Sequence, residues 1–143
     1  MKAFAYIFSA IVVLSSVMLI SGCDGDDNPT AQEAQLQKLT AKTWNLQSVK
    51  IDGIDHTGLF QNMSITISSS TFTTTNGGTV WPASGTWEFA DEQATTITRG
   101  DNITITIEAV SEAELRLSLQ WNETTFGPGR EKSISGMHVF SFN

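Results

Sequence analysis

The sequence predicts an all-β chain, an antiparallel up-and-down barrel of about eight strands with a short N-terminal helix, on three observations. From Thr43 onward, apolar and polar residues alternate with a period of two. The alternating runs are separated by clusters of Gly, Asn, Asp and Pro, the residues of tight turns. Their polar positions are rich in Thr, whose branched Cβ suits the pleat and whose hydroxyl keeps an outer face wet.

The elements follow in order. Thr30-Ala31-Gln32-Glu33 fits a capping box, and Leu36 and Leu39 fall on one face behind it, so a helix is expected over about 31–41. Its apolar stripe is two residues wide, enough to pack on the following domain and too narrow for a membrane or partner helix. A first strand is expected at about 43–51. Met63, Ile65 and Ile67 then alternate with Ser64, Thr66 and Ser68. Ile103, Ile105 and Ile107 alternate with Thr104, Thr106 and Glu108, and Leu115, Leu117 and Leu119 with Arg116, Ser118 and Gln120. Further strands are expected at about 71–76, 84–90, 94–99 and 135–142, with turns at Asp52-Gly53, Asn76-Gly77-Gly78, Gly100-Asp101-Asn102 and Gly127-Pro128-Gly129. A sheet with one apolar face must cover it, and short turns between sequential strands favour closure into a barrel over splitting into a sandwich. By parity the inward set is Met63, Ile65, Ile67, Phe72, Trp87, Phe89, Ile97, Ile103, Ile105, Ile107, Leu115, Leu117, Leu119 and Val139.

The 143 residues are one domain's worth of sequence, with 8 Lys plus Arg against 15 Asp plus Glu. That balance, with no clustered basic stripe, argues against nucleic acid as a partner. A single Cys excludes an intrachain disulfide and CxxC metal or redox sites. Residues 1–22 differ from the rest: Lys2, an apolar stretch from Ala3 to Ile20, then small residues, the pattern of an export signal. Ile20-Ser21-Gly22-Cys23 resembles a bacterial lipobox, which implies cleavage before Cys23 and a diacylglycerol on its thiol. An uncleaved membrane helix is the alternative, but such a helix needs no Cys at this position. The expected organisation is a signal peptide at 1–22, an acidic tether and short helix at 23–37, and a barrel at 38–143. The protein would be held at the outer membrane by acylated Cys23.

Asp24, Asp26 and Asp27 follow the anchor. A calcium loop would need Gly and Glu where Pro29 and Gln35 stand, so that reading is rejected. The acidic cluster resembles the surface-export signal of Bacteroidetes lipoproteins; a solvated tether is the other reading.

Lys42-Thr43-Trp44-Asn45-Leu46, Ser84-Gly85-Thr86-Trp87-Glu88-Phe89, Gly129-Arg130 and Gly136-Met137-His138-Val139-Phe140 together resemble the lipocalin-like domain of small Bacteroidetes lipoproteins, over about residues 38–143. The resemblance implies a lipocalin-like barrel binding a small apolar ligand. It further implies that Trp44 closes one barrel end under Arg130, a cation–π contact. Lys42 stands where the family has Gly, a departure that bears on the register of the first strand.

Catalytic motifs are poor. Asp52-x-x-Asp55-His56 is where a His sits beside carboxylates, and it reads as a solvated turn with a local Asp–His contact; His138 is the other imidazole. No Ser lies in a Gly-x-Ser-x-Gly elbow, and Gly127-Pro128-Gly129-Arg130 lacks the third Gly of a phosphate loop. No enzyme, metal or cofactor is expected. Trp87 and Phe89 point inward, whereas Trp81, Trp121, Phe60 and Phe126 fall at strand ends or in loops. Trp87, Phe89, Trp81, Trp121 and Phe60 are the candidate ligand contacts, gripping an apolar group or a sugar ring; the alternative is that they close the barrel ends. The inward set is bulky and carries no polar group to orient a ligand, which favours a packed interior. A structural or accessory module binding another surface protein or a glycan through its outer face and loops is the second functional reading.

Overall fold

The computed structural model describes residues 28–143 apart from Gly129, together with Gly25; for Arg130, Glu131 and Lys132 the backbone alone is described. The expected signal segment, Cys23 and the carboxylates Asp24, Asp26 and Asp27 lie outside the described residues.

Helix α1 spans Ala31–Leu39. Its capping box forms as the sequence predicts: Glu33 N–H donates to the Thr30 hydroxyl at 3.1 Å, and Thr30 N–H donates to the Glu33 carboxylate at 2.8 Å. The strands are β1 (Thr43–Ile51), β2 (Ile54–Asp55), β3 (Ser64–Ile67), β4 (Thr71–Thr75), β5 (Ser84–Phe89), β6 (Thr96–Arg99), β7 (Thr104–Val110), β8 (Leu115–Trp121), β9 (Thr125–Gly127), β10 (Arg130–Ser133) and β11 (Gly136–Phe142), with a short 3-10 turn at Thr57–Phe60.

Strands β1, β3–β8 and β11 pair in sequence order, and β11 pairs back on β1. The result is a closed eight-stranded antiparallel up-and-down barrel with one short N-terminal helix, the barrel that the alternation predicts and the lipocalin-like architecture that the resemblance implies. Closure removes the sheet edges that an open meander of this composition would expose. The three remaining strands are additions to one end. β2 folds back on β1 through Asp52 and Gly53, both at positive φ, the backbone that a two-residue hairpin requires. β9 and β10 form a separate ribbon between β8 and β11.

Because the strands alternate in direction, the loops sort to two ends. The helix end carries α1, the β3–β4, β5–β6 and β7–β8 connections, and the C-terminus. The hairpin end carries β2, the 3-10 turn, residues 76–83 and 100–103, and the β9–β10 ribbon. α1 lies across its end: Gln32 and Gln35 side chains donate to the Asp91 and Ala94 carbonyls at 3.0 and 3.4 Å.

Register corrects the expected inward set at β11. His138 lies beside Leu119, Phe140 beside Leu117 and Phe142 beside Leu115, so His138, Phe140 and Phe142 face the core and Val139 faces outward, half-buried. Two bulges change parity within a strand. In β1 the pairing slips between Leu46 and Ser48, which turns the inward positions from Trp44 and Leu46 to Val49 and Ile51. In β7 it slips between Ile107 and Ala109, leaving the Glu108 side chain outside to accept from the Ser118 hydroxyl at 2.5 Å.

Candidate functional site

The inside of a lipocalin-like barrel is the first place to look for a ligand. Here it is full. Bulky residues from all eight strands meet at the axis, and the cavity found there among the described residues is about 10 Å³, lined by Leu39, Ile65, Ile67, Phe72, Trp81, Trp87, Ile97, Arg99, Ile105 and Leu117. That is about the smallest space that takes one water molecule.

Both ends are closed by aromatic side chains. At the helix end Trp44 is fully buried, and its indole N–H donates at 2.9 Å to the Leu39 carbonyl, one of the orphan carbonyls at the end of α1. Lys42, which stands where the resembling family has Gly, places its ammonium 4.7 Å from the Trp44 ring centre. The Arg130 side chain expected over Trp44 lies outside the described residues, and the Arg130 backbone belongs to the β9–β10 ribbon at the opposite, hairpin end.

At the hairpin end the closure is Trp81 with Arg99. The alternation of β6 carries Arg99 inward behind Ile97, where it is 2% exposed. Each guanidinium nitrogen has a partner: Nε and Nη2 donate to the two Asp101 oxygens at 2.8 and 2.6 Å, Nη1 donates to the Val80 carbonyl at 2.7 Å, and Cζ lies 5.1 Å from the Trp81 ring centre. The planar fork of Arg matches a carboxylate two residues along the turn, which is how a charge is tolerated at this depth. The Asp101 carboxyl is in turn held below the usual carboxylate range, first by its hydrogen bonds from Arg99.

The candidate ligand contacts do not assemble into an open site. Trp87 is buried, its indole N–H shared between the Ser68 and Thr71 carbonyls at 3.0 and 3.2 Å, with Phe89 half-buried edge-on against it at 4.9 Å. Trp81, expected at a strand end or in a loop, comes from the β4–β5 loop yet packs into the core edge-on to Phe72 and Phe140 at 5.7 and 5.8 Å. Phe60 is buried under Phe140 and His138 at 5.1 and 6.2 Å. Trp121 is half-buried at the end of β8, its indole nitrogen buried with no partner. Trp81 and Trp87 reach the residual cavity; Phe60, Phe89 and Trp121 do not.

Arg99 and His138 are the inward polar groups missing from the expected set. Parity with Ile97 is a signal for the first; alternation with Phe140 and Phe142 is a signal for the second. His138 is fully buried between Phe60 and Phe140, with Nδ1 3.0 Å from the Gly136 carbonyl and Nε2 unpartnered. Burial pushes its pKa below the ordinary 6.5, against smaller upward effects of the Gly136 carbonyl and Asp52. A lowered folded-state pKa means that the unfolded chain takes up the proton first. Stability is therefore expected to be fully present above about pH 6.5 and to fall as pH drops from there toward the folded-state value. Urea midpoints at pH 7.5 and pH 5 measure this, and His138→Phe should flatten the difference; an equal slope in the variant would assign it to other groups.

The Asp52–His56 turn makes no Asp–His hydrogen bond among the described residues. Asp52 accepts instead from Met137 N–H at 2.9 Å, and Asp55 from Thr57 N–H and hydroxyl at 3.2 and 3.0 Å. No group of three His, Cys, Asp or Glu that could hold a metal ion occurs among the described residues.

The outer surface carries further relief. Two shallow grooves of about 340 Å³ each share Thr86, Arg99 and Gly100, and a third of about 370 Å³ lies over β1, β11 and β8. The large apolar side chains exposed among the described residues are Ile54 (65%), Phe126 (72%) and Met137 (43%), all at the hairpin end. Comparison with known proteins finds no matching family model and no matching curated protein.

Proposed function

We propose that this chain is a lipid-anchored outer-membrane lipoprotein of the lipocalin-like kind, non-enzymatic, which acts through the outside of a solid barrel as an accessory module for another surface protein or a glycan. The carrying observation is the interior cavity of about 10 Å³. A site for a drug-sized apolar ligand occupies roughly 300 Å³ or more. The lipobox-like Ile20-Ser21-Gly22-Cys23 supports the anchor.

On this reading the anchor also orients the barrel. Residues 23–29 span at most about 25 Å when extended, so acylated Cys23 holds the helix end toward the membrane. The hairpin end, with exposed Ile54, Phe126 and Met137, then faces away from it. A photo-crosslinking residue at position 126 on intact cells is expected to capture a surface protein or glycan, and one at Glu112, at the helix end, is expected to capture none. Native mass spectrometry of the purified chain is expected to show no bound fatty acid. A stoichiometric apolar guest in the barrel would overturn this reading in favour of ligand carriage.

A further inference from the structure

The groove over β1, β11 and β8 runs against the charge of the chain. Register sets Ser48 beside Ser141 and Ser141 beside Arg116, with Lys50 beside Val139 one pleat away. Lys50 and Arg116 are exposed and stand at two corners, while the short side chains of Ser48, Ser141 and Val139 are half-buried and leave the depression of about 370 Å³ between them. Two strand spacings separate β1 from β8, about 10 Å, a span that the long side chains of Lys and Arg can close on one small ion.

Both cations keep donors free. Asp55 lies across from Lys50 on β2, but its oxygens accept from Thr57, and Lys50 forms no ion pair among the described residues. Arg116 gives one terminal nitrogen, Nη2, to Glu114. That contact orients the guanidinium and leaves its other N–H groups for a ligand. Two cations brought together on a chain of net charge −7 gain most from an anion between them.

We infer that this groove binds a tetrahedral oxyanion, a phosphate or sulfate group, between Lys50 and Arg116. The Ser48 and Ser141 hydroxyls supply further donors from a third direction, and Val139 lies under the group that carries the anion. A tetrahedral anion presents an oxygen to each of these directions, which a planar carboxylate does not. The inference deepens the outer-surface reading by naming what one part of that surface takes; it rests on that reading for the source of the anion, a free ester or a lipid headgroup.

Calorimetric titration of the full chain in non-ionic detergent with inorganic phosphate, at ionic strength held constant with chloride, tests it. Saturable binding is expected, weakened about tenfold or more by Lys50→Gln and by Arg116→Gln. Lys38→Gln on α1 should leave it unchanged. Both groove variants should melt as the parent does without phosphate, because exposed charges contribute little to stability. No saturation below about 10 mM, or equal weakening by Lys38→Gln, overturns the inference. Deacylated phosphatidylglycerol headgroup serves as a second probe: binding as tight as phosphate identifies a lipid source, and rejection identifies a free ester, both on the strength of a working groove. A null titration beside intact capture at position 126 overturns the groove alone, whereas loss of that capture with a working groove overturns the partner reading.

Discussion

Cys23→Ser is expected to change the covalent structure and the location of the protein together. The parent should lose residues 1–22 and gain the mass of a diacylglycerol on Cys23; the variant should keep residues 1–22, gain nothing, and leave the outer-membrane fraction. The reason is nucleophilicity: a thiol is in reach of its thiolate near neutral pH and a serine hydroxyl is not. One acyl chain anchors marginally, but each buried CH₂ contributes about 0.8 kcal/mol, so two chains hold a protein almost permanently. Intact mass and incorporation of an alkynyl fatty acid read the outcome. If parent and variant have the same mass apart from the substituted atom, residues 3–20 are an uncleaved membrane helix and the lipid anchor is wrong.

Phe140→Ala should produce the largest loss of stability from one core position. The ring is fully buried where four aromatic neighbours meet, with Phe60 at 5.1 Å, Trp81 and His138 at 5.8 Å and Phe142 at 6.2 Å between centres. Removing a buried Phe ring costs about 3–5 kcal/mol, because its transfer energy is lost and the rigid wall does not collapse into the gap. Against a typical domain stability of about 5–15 kcal/mol, the shift in urea midpoint should be large. The same substitution tests the filled interior. A cavity walled mainly by rings takes a small aromatic guest. Benzene should therefore raise the melting temperature of Phe140→Ala and leave that of the parent unchanged. An equal rise in both would show that the native barrel already has room.

Much of the architecture was legible because its cause is local. Alternation along Met63–Ile67, Ile103–Ile107 and Leu115–Leu119 reports which face of each strand is buried, and Asp52-Gly53 carries the backbone freedom its hairpin uses. The short strands of the β9–β10 ribbon escaped this reading, since Gly127-Pro128-Gly129 signals a turn and the flanking runs are too short to show a period. The choice between Val139 and Phe140 was harder, because two apolar residues side by side satisfy either parity; pairing with β8 decided it.

The candidate site was less legible. Trp81 and Phe60 sit outside the strands, so no periodicity says where their rings go, and the fold draws both into the core. Arg99 has the parity of an inward residue, but a buried charge needs partners, and Asp101 and the Val80 carbonyl meet its donors only in the folded chain. The Lys50–Arg116 groove joins positions far apart in the chain, with nothing in either local sequence to mark it.

By itself, then, the sequence determined the all-β class, the short capped helix and the expectation of an export signal ending at Cys23, all of which follow from patterns within a few residues. Closure of β11 on β1, the bulges that turn parity within β1 and β7, and the filling of the axis down to about 10 Å³ were decided only by tertiary structure. Strand register and the summed volume of side chains from eight strands are properties of residues distant in sequence, and they become defined only when those residues are packed against one another.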